Sequence, residues 1–239
     1  NPSLPVGESD KGFGAEKGQF YYGIQSHFTY IDWWHDPIKG EPFKHSGALN
    51  TFILQPSLVY GISKKFNLTL SSTLGIRTMN WKESDSSIHH RTEGSSTDFN
   101  NAHGGILGDS KILLRYMFKN TGLGNGLRFY GGGGLTIPSN NQLTSDPFFL
   151  NGEEMKEHRH FSLSNGTYNY NLEAQAYYKQ SINPIFYGGF ITLEKPIAES
   201  KYGYLAPTNI NLVLSMIYKR FDDNDTSIGY GLNILHTTK

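Results

Sequence analysis

An alternation of apolar and polar residues with a period of two recurs along this chain and constrains its fold more than any other feature. In residues 66–79 the even positions are mostly apolar (leucine, isoleucine and phenylalanine), whereas the odd positions are mostly asparagine, threonine and serine. Successive side chains of a β-strand point to opposite faces, so this pattern predicts strands with one apolar and one polar face. Similar patterns predict nine strands, near residues 20–31, 49–61, 66–79, 109–118, 127–138, 168–178, 184–195, 209–219 and 226–236.

Composition excludes several classes of protein. Aromatic residues reach 14% and charged residues only 18%, whereas disordered chains are poor in aromatics and rich in charge. Lys+Arg and Asp+Glu are both 21, so the basic excess of a nucleic-acid-binding protein is missing. No apolar run approaches the roughly 20 residues of a membrane helix. The chain has 0 Cys, which excludes disulfide scaffolds and thiolate metal sites.

The predicted connections alternate in length. Short turns lie near 63–65, 120–126, 181–184 and 222–225, and long polar connections cover 32–48, 82–106, 138–167 and 196–207. Short turns at one end and long loops at the other are typical of outer-membrane barrels. We therefore predict an N-terminal periplasmic segment at 1–19 and a β-barrel domain at 20–239 with its long loops outside the cell. The chain begins Asn1-Pro2, so we expect that a signal peptide has been removed or that only part of the product is present.

Aromatic side chains near the predicted strand ends separate a membrane barrel from a soluble lipocalin-like barrel or sandwich, which would alternate in the same way. Rings of Tyr, Trp and Phe are favoured at both interfaces of a membrane. We assign to these interfaces Tyr30, Trp33, Trp34, Trp81, Phe118, Tyr178 and Tyr218. The prediction is an all-β, antiparallel, up-and-down transmembrane β-barrel in the outer membrane of a Gram-negative-type bacterium. Because bacterial single-chain barrels have even strand numbers, we expect about 10–12 strands, with 98–106 or 156–163 as hidden strands.

Charged residues on the polar faces of the strands would be costly in a dry core and are tolerable in a wet or salt-bridged lumen. The predicted lumen-lining residues are Arg77, Asp109, Lys111, Arg115, Arg128, Glu173 and Lys219. They have two interpretations: a constriction that selects solutes, or a filling of ion pairs that stabilises a closed barrel. Because like charges on neighbouring strands repel, we predict that Glu173 joins Arg115 and Arg128 in one internal network.

Residues 104–220 resemble the outer-membrane family named for the meta pathway of phenol degradation. Members of that family show a Gly-Asp entering an alternating strand with a terminal Tyr, followed by a strand that ends in an apolar-Pro corner. The matching residues here are Gly108, Asp109, Tyr116, Gly131, Gly133, Ile137 and Pro138, whereas Ser139-Asn140 stands where the family often has Thr-Gly. The resemblance implies a transporter-like membrane barrel with an uptake role and supplies no catalytic residues.

Histidines concentrate in the predicted outer half of the chain. His89-His90 and His158-x-His160 are spaced so that their imidazoles can share a metal ion such as Zn, Cu or Ni. The alternative is that they are ordinary solvated loop histidines, since no established ligand spacing is matched. We assign no cofactor, and the absence of a nucleophile-elbow motif favours a protein that is not an enzyme.

Two functions follow from this prediction. The first is a channel or transporter-like protein for small solutes, with hydrophobic or aromatic compounds among the candidates. The second is a closed structural barrel that binds a partner protein in an outer-membrane complex, through its long loops or its periplasmic side. Both place the chain in contact with outer-membrane lipid.

Overall fold

A computed structural model of the chain describes residues 14–37, 44–81, 106–121, 124–142, 162–182, 185–200, 203–219 and 227–238. The strands of this part are β1 (Phe20–His35), β2 (His45–Gly61), β3 (Phe66–Trp81), β4 (Leu107–Asn120), β5 (Gly126–Ile137), β6 (Asn169–Lys179), β7 (Phe186–Pro196), β8 (Thr208–Lys219) and β9 (Ser227–Thr238). Each corresponds to a predicted strand. Within these ranges no helix is long and apolar enough to cross a membrane.

The strands form one antiparallel sheet in which each strand pairs with its neighbours in sequence, from β1 to β9. The prediction of an all-β, up-and-down antiparallel arrangement is confirmed. Within the described sheet, β1 and β9 are the two edges and are not paired with each other. The predicted hidden strands at 98–106 and 156–163 fall almost entirely outside the described residues.

The first predicted long loop is shorter than expected. β1 continues to His35 and β2 begins at His45, so only residues 36–44 connect them instead of 32–48. The register continues without interruption from Phe20↔Tyr60 to His35↔His45. Backbone pairing therefore extends through a stretch whose polar composition resembled a loop.

Because the strands run alternately up and down, the connections fall at two ends of the sheet. The last residues of β1, β3, β5 and β7 and the first residues of β2, β4, β6 and β8 lie at one end, which we call the long-connection end. The last residues of β2, β4, β6 and β8 and the first residues of β3, β5, β7 and β9 lie at the other, the short-turn end.

The sheet is curled, with its polar face on the concave side. Lys111 on β4 forms an ion pair with Glu194 on β7, although β5 and β6 lie between these strands. Residues from β1 to β4 and from β6 to β8 line one common cavity on this side. We call the concave side the interior face and the opposite side the outer face.

Burial on the two faces is the reverse of that in a soluble barrel, which hides its apolar face. Buried polar residues of the interior face include Thr51, Asn67, Thr69, Arg115, Thr136, Asn169, Glu173, Gln175 and Ser215. Exposed apolar residues of the outer face include Ile112, Leu114, Leu135, Leu172, Ile191, Leu214, Leu232 and Ile234. The alternation predicted from the sequence thus separates an apolar outside from an inside that is largely polar and also holds buried apolar side chains such as Val59, Tyr177 and Phe186.

The glycine run of β5 lets neighbouring strands pack closely. Gly132 pairs with Arg115 on one side and with Glu173 on the other. A Cβ atom at Gly132 would lie 3.1 Å from the carbonyl oxygen of Leu114, a closer contact than most side chains make. At Gly134, a Cβ atom would collide with the carbonyl oxygen of Ile112.

We predict that Gly134→Ala destabilises the fold by about 1–3 kcal/mol, the usual cost of overpacking. Gly133→Ala is the matched control, because the nearest atom to its Cβ would be Leu172 Cδ2 at 3.7 Å, an ordinary contact. Thermal or denaturant unfolding of the two variants measures the difference. Equal stability of both would show that β4 and β5 are not as close as described.

Candidate functional site

The candidate functional site is the polar interior of the curled sheet. It contains a cavity of about 240 Å³ whose lining comes from seven of the nine described strands. The lining residues of β4 run from Asp109 to Leu113, and those of β6 from Asn171 to Glu173. These residues lie nearer the long-connection end than Arg115 does. The cavity therefore extends from the middle of the interior toward the long-connection end.

A buried ion pair lies on the short-turn side of this cavity. Arg115 Nε donates to Glu173 Oε1 at 2.7 Å, and Arg115 Nη2 donates to Glu173 Oε2 at 3.3 Å. The two side chains are only 0% and 2% exposed. Gln175 Nε2 donates to the same Oε1 at 2.7 Å. The geometry is bidentate, which fixes both side chains and satisfies their charges without water.

Arg128 lies on the interior face of β5, the face predicted for it. Its guanidinium carbon lies 5.8 Å from the centre of the Phe186 ring, a cation–π arrangement. The structure brings Arg115 and Glu173 together as predicted, and the membership of Arg128 in the same network remains a prediction.

A second charged group faces the cavity directly. Lys111 Nζ lies 2.5 Å from Glu194 Oε2, and the Lys111 side chain is 47% exposed. Thr136 Oγ1 and Asn169 Nδ2 donate to the other oxygen of Glu194 at 3.0 and 2.8 Å. Asn171 Nδ2 in turn donates to Thr136 Oγ1 at 2.8 Å. The Glu194 carboxylate is thus the centre of a polar network that ties β4, β5, β6 and β7 together.

Apolar side chains fill the interior at the short-turn end. The cluster consists of Tyr177, Phe186, Phe190, Val213 and Ile217, all buried and all on the interior faces of β6, β7 and β8. The rings of Tyr177 and Phe186 stack with their centroids 5.0 Å apart. Part of the interior is therefore a packed core, as in small barrels whose side chains fill the inside.

The chain before β1 enters the same end of the interior. Ala15 N donates to Asn67 Oδ1 at 3.2 Å, and Asn67 Nδ2 donates to Ala15 O at 3.0 Å. Gly61 allows this approach, since a Cβ there would collide with the carbonyl of Glu16. Residues 14–16 thus occupy the mouth of the interior beside β2 and β3. The assignment of 1–19 to the periplasm remains a prediction.

Aromatic rings form a row on the outer face at the short-turn end. Their centroids are 4.6 to 6.1 Å apart in the pairs Phe20–Tyr60, Phe66–Tyr116, Phe118–Phe129, Tyr178–Tyr187 and Tyr218–Tyr230. At the long-connection end Tyr30 and Trp34 are exposed on the outer face. Trp33 lies on the other face of β1, where its ring stacks on His35 with centroids 5.9 Å apart. We call the row of ring pairs at the short-turn end one aromatic belt, and the exposed pair Tyr30 and Trp34 at the long-connection end the other.

Several predicted site residues lie outside what the structure describes. The strands β3 and β8 contain Arg77, Trp81 and Lys219, but the structure does not describe these three side chains. His89, His90, His158 and His160 fall in undescribed segments. Among the residues that are described, no group of three or more His, Cys, Asp or Glu could hold a metal ion.

Three interior residues that matter to the site were not among the predicted lumen-lining residues: Asn67, Thr69 and Asn211. Each sits on the polar face of its strand, so the alternation already placed it on the correct side.

Comparisons of the chain with protein-family models, with curated proteins and with solved structures found no match. The resemblance to the phenol-pathway family therefore remains a prediction.

We predict that Glu173→Gln lowers the stability by about 3–5 kcal/mol, because it leaves the buried Arg115 without its counter-charge. Lys111→Met is the comparison: Lys111 is 47% exposed and Glu194 keeps its hydrogen bonds from Thr136 and Asn169, so breaking this pair should cost less. The thermal unfolding of the two variants can be monitored by the heat-dependent shift in their gel mobility. A Glu173→Gln protein as stable as Lys111→Met would mean that the Arg115–Glu173 pair does not hold the interior together.

Proposed function

We propose that this chain forms the wall of a transmembrane β-barrel in a bacterial outer membrane, and that the barrel takes up small solutes through its polar interior. The observation that carries the proposal is the reversed burial. Ion pairs and amides are buried on the interior face, whereas leucines and isoleucines are exposed on the outer face. In water the outer face would be an apolar patch far larger than soluble monomers tolerate, and in lipid it is the expected surface.

The spacing of the aromatic belts supports the same proposal. Tyr22 extends the short-turn row, since its ring stacks on that of Phe20 with centroids 6.4 Å apart. Tyr22 and Trp34 both lie on the outer face of β1 and are 12 residues apart. At about 3.3 Å per residue they are separated by about 40 Å along the strand. A strand tilt of about 40° reduces this to about 30 Å across the membrane, close to the thickness of a hydrocarbon core.

A barrel in lipid requires partners for the free edges of β1 and β9, because unpaired backbone groups are not tolerated there. β1 and β9 run in the same direction, since an even number of reversals separates them. An antiparallel closure therefore needs at least one further strand between them. This agrees with the even strand numbers of bacterial barrels and with our expectation of about 10–12 strands.

Two features of the interior support solute binding with a closed resting state. The cavity provides a polar chamber toward the long-connection end. The opposite end is filled by the Arg115–Glu173 pair, by the apolar cluster around Tyr177 and Phe186, and by residues 14–16. A chamber blocked at one end fits a gated, transporter-like barrel better than a wide pore.

The second candidate is the closed structural barrel. The dense filling of the short-turn end favours it, because a buried ion pair and stacked rings stabilise a barrel that never opens. In that case the long connections or the short-turn side would bind a partner protein.

The membrane part of the proposal predicts a difference between the two faces of β7. Ile191→Arg should cost roughly 2–4 kcal/mol at mid-membrane, because it places a charge in lipid. Thr192→Arg should cost much less, since Thr192 lines the cavity near Glu194. Folding into lipid vesicles, titrated with urea, measures both. If Ile191→Arg is the better tolerated of the two, the outer face does not contact lipid.

The solute part predicts that Asn67 holds the short-turn mouth shut. Asn67→Ala removes both hydrogen bonds to Ala15 and should raise the conductance or the opening frequency in planar bilayers. Asn209→Ala, at the other end of the interior, is the control and should leave conductance unchanged. If the native protein and Asn67→Ala both insert and neither conducts, the transporter proposal fails and the closed barrel is the function to pursue.

A further inference from the structure

Three polar atoms of the cavity wall have no hydrogen-bond partner among the described residues. They are Thr69 Oγ1, Asp109 Oδ1 and Asn211 Oδ1. Thr69, Asp109 and Asn211 stand on β3, β4 and β8, and all three line the cavity. Thr69 is only 5% exposed. A buried polar atom without a partner costs free energy, so three around one cavity indicate a bound group that supplies hydrogen bonds.

The chemistry of the wall identifies that group. Two of the three atoms are acceptors only, and the third is a hydroxyl that can donate and accept. The remaining polar wall consists mostly of amides and hydroxyls, including Gln25, Gln55, Ser57, Ser71, Thr73 and Thr192. Such side chains can each donate and accept, which matches a ligand with several hydroxyl groups.

Charge at the cavity argues against an anionic ligand. Lys111 and Glu194 neutralise each other at 2.5 Å, and Glu173 is neutralised by Arg115. Asp109 accepts a backbone hydrogen bond from Asn165 at 3.4 Å, and its carboxylate is also hydrogen-bonded by the backbone of Ser139 and the hydroxyl of Ser164. An anion would meet this carboxylate with both nearby cations already paired, and the glucosamine competitor in the test below decides whether a cation binds there instead.

Size sets the remaining limit. About 240 Å³ is below the usual 300–1,000 Å³ of sites for drug-sized ligands. We propose that this cavity binds a neutral polyhydroxylated compound of about monosaccharide size. The proposal rests on the proposed solute-uptake function and names its substrate class. It replaces the hydrophobic or aromatic solute expected from the sequence with a polar one.

The test is binding of D-glucose to the folded full chain in detergent, measured by saturation-transfer NMR and calorimetry, with gluconate, glucosamine and phenol as competitors. The native protein should bind glucose more tightly than the other three. Thr69→Val should weaken binding by about 3- to 10-fold, the loss of one hydrogen bond, and Thr69→Ser should restore it. Thr51→Val is the matched control: Thr51 is a buried interior threonine that does not line the cavity, so binding should not change.

Two results would overturn the inference. One is glucose binding that Thr69→Val and Asn211→Leu leave unchanged in proteins with native gel mobility. The other is preferential binding of gluconate, glucosamine or phenol, or no glucose binding at all. Either can occur in a protein that inserts and conducts, so the substrate class can fail while solute uptake stands. Absence of conductance in the Asn67→Ala protein would instead remove the uptake function itself.

Discussion

The ion pair between Arg115 and Glu173 is the interaction on which the rest of the interior depends. It spans three strands, because Arg115 is on β4, Glu173 is on β6, and Gly132 of β5 lies between them. Both charges have been removed from water, so neither can lose its partner without a large cost. A one-residue slip in either pairing would turn one charge to the outer face and abolish the contact. The pair therefore fixes both the register and the curl of the central strands.

The reversed burial follows from the same constraint. Once the interior face carries paired charges and amides, most apolar residues of the central strands point outward, since strand side chains alternate. The outer face then has no apolar partner within the described sheet. The interior cluster around Tyr177 and Phe186 buries some apolar surface, but the larger apolar surface of the outer face contributes hydrophobic stabilisation only if its surroundings are not water. This is why the burial pattern, more than any single residue, supports a membrane location.

Much of this fold could be predicted from the sequence because strands with two unlike faces leave a local signal. The nine strands, their order and the side taken by Arg115 and Glu173 follow from alternation and short turns alone. Contacts across the interior do not: Lys111 and Glu194 are separated by two strands, and their meeting depends on how far the sheet curls. The role of Asn67 could not be foreseen either, since its partner is the backbone of Ala15, which carries no side-chain signal. The extension of β1 to His35 depends on pairing with β2, which overrode a loop-like composition.

The position of the ion pair also sets how a solute could pass. The cavity and the short-turn mouth are separated by Arg115, Glu173 and the Tyr177–Phe186 stack, so passage requires these groups to move. Separating a buried pair costs about 3–5 kcal/mol when no new partner is supplied. Each 1.4 kcal/mol changes an equilibrium constant about tenfold, so roughly one molecule in a few hundred to a few thousand would be in the open state. A solute or water that pairs with the parted charges lowers this cost, so occupancy of the cavity and opening of the mouth would be coupled. A wide pore has no such coupling, and this is the physical difference between a porin and the gated barrel that we propose.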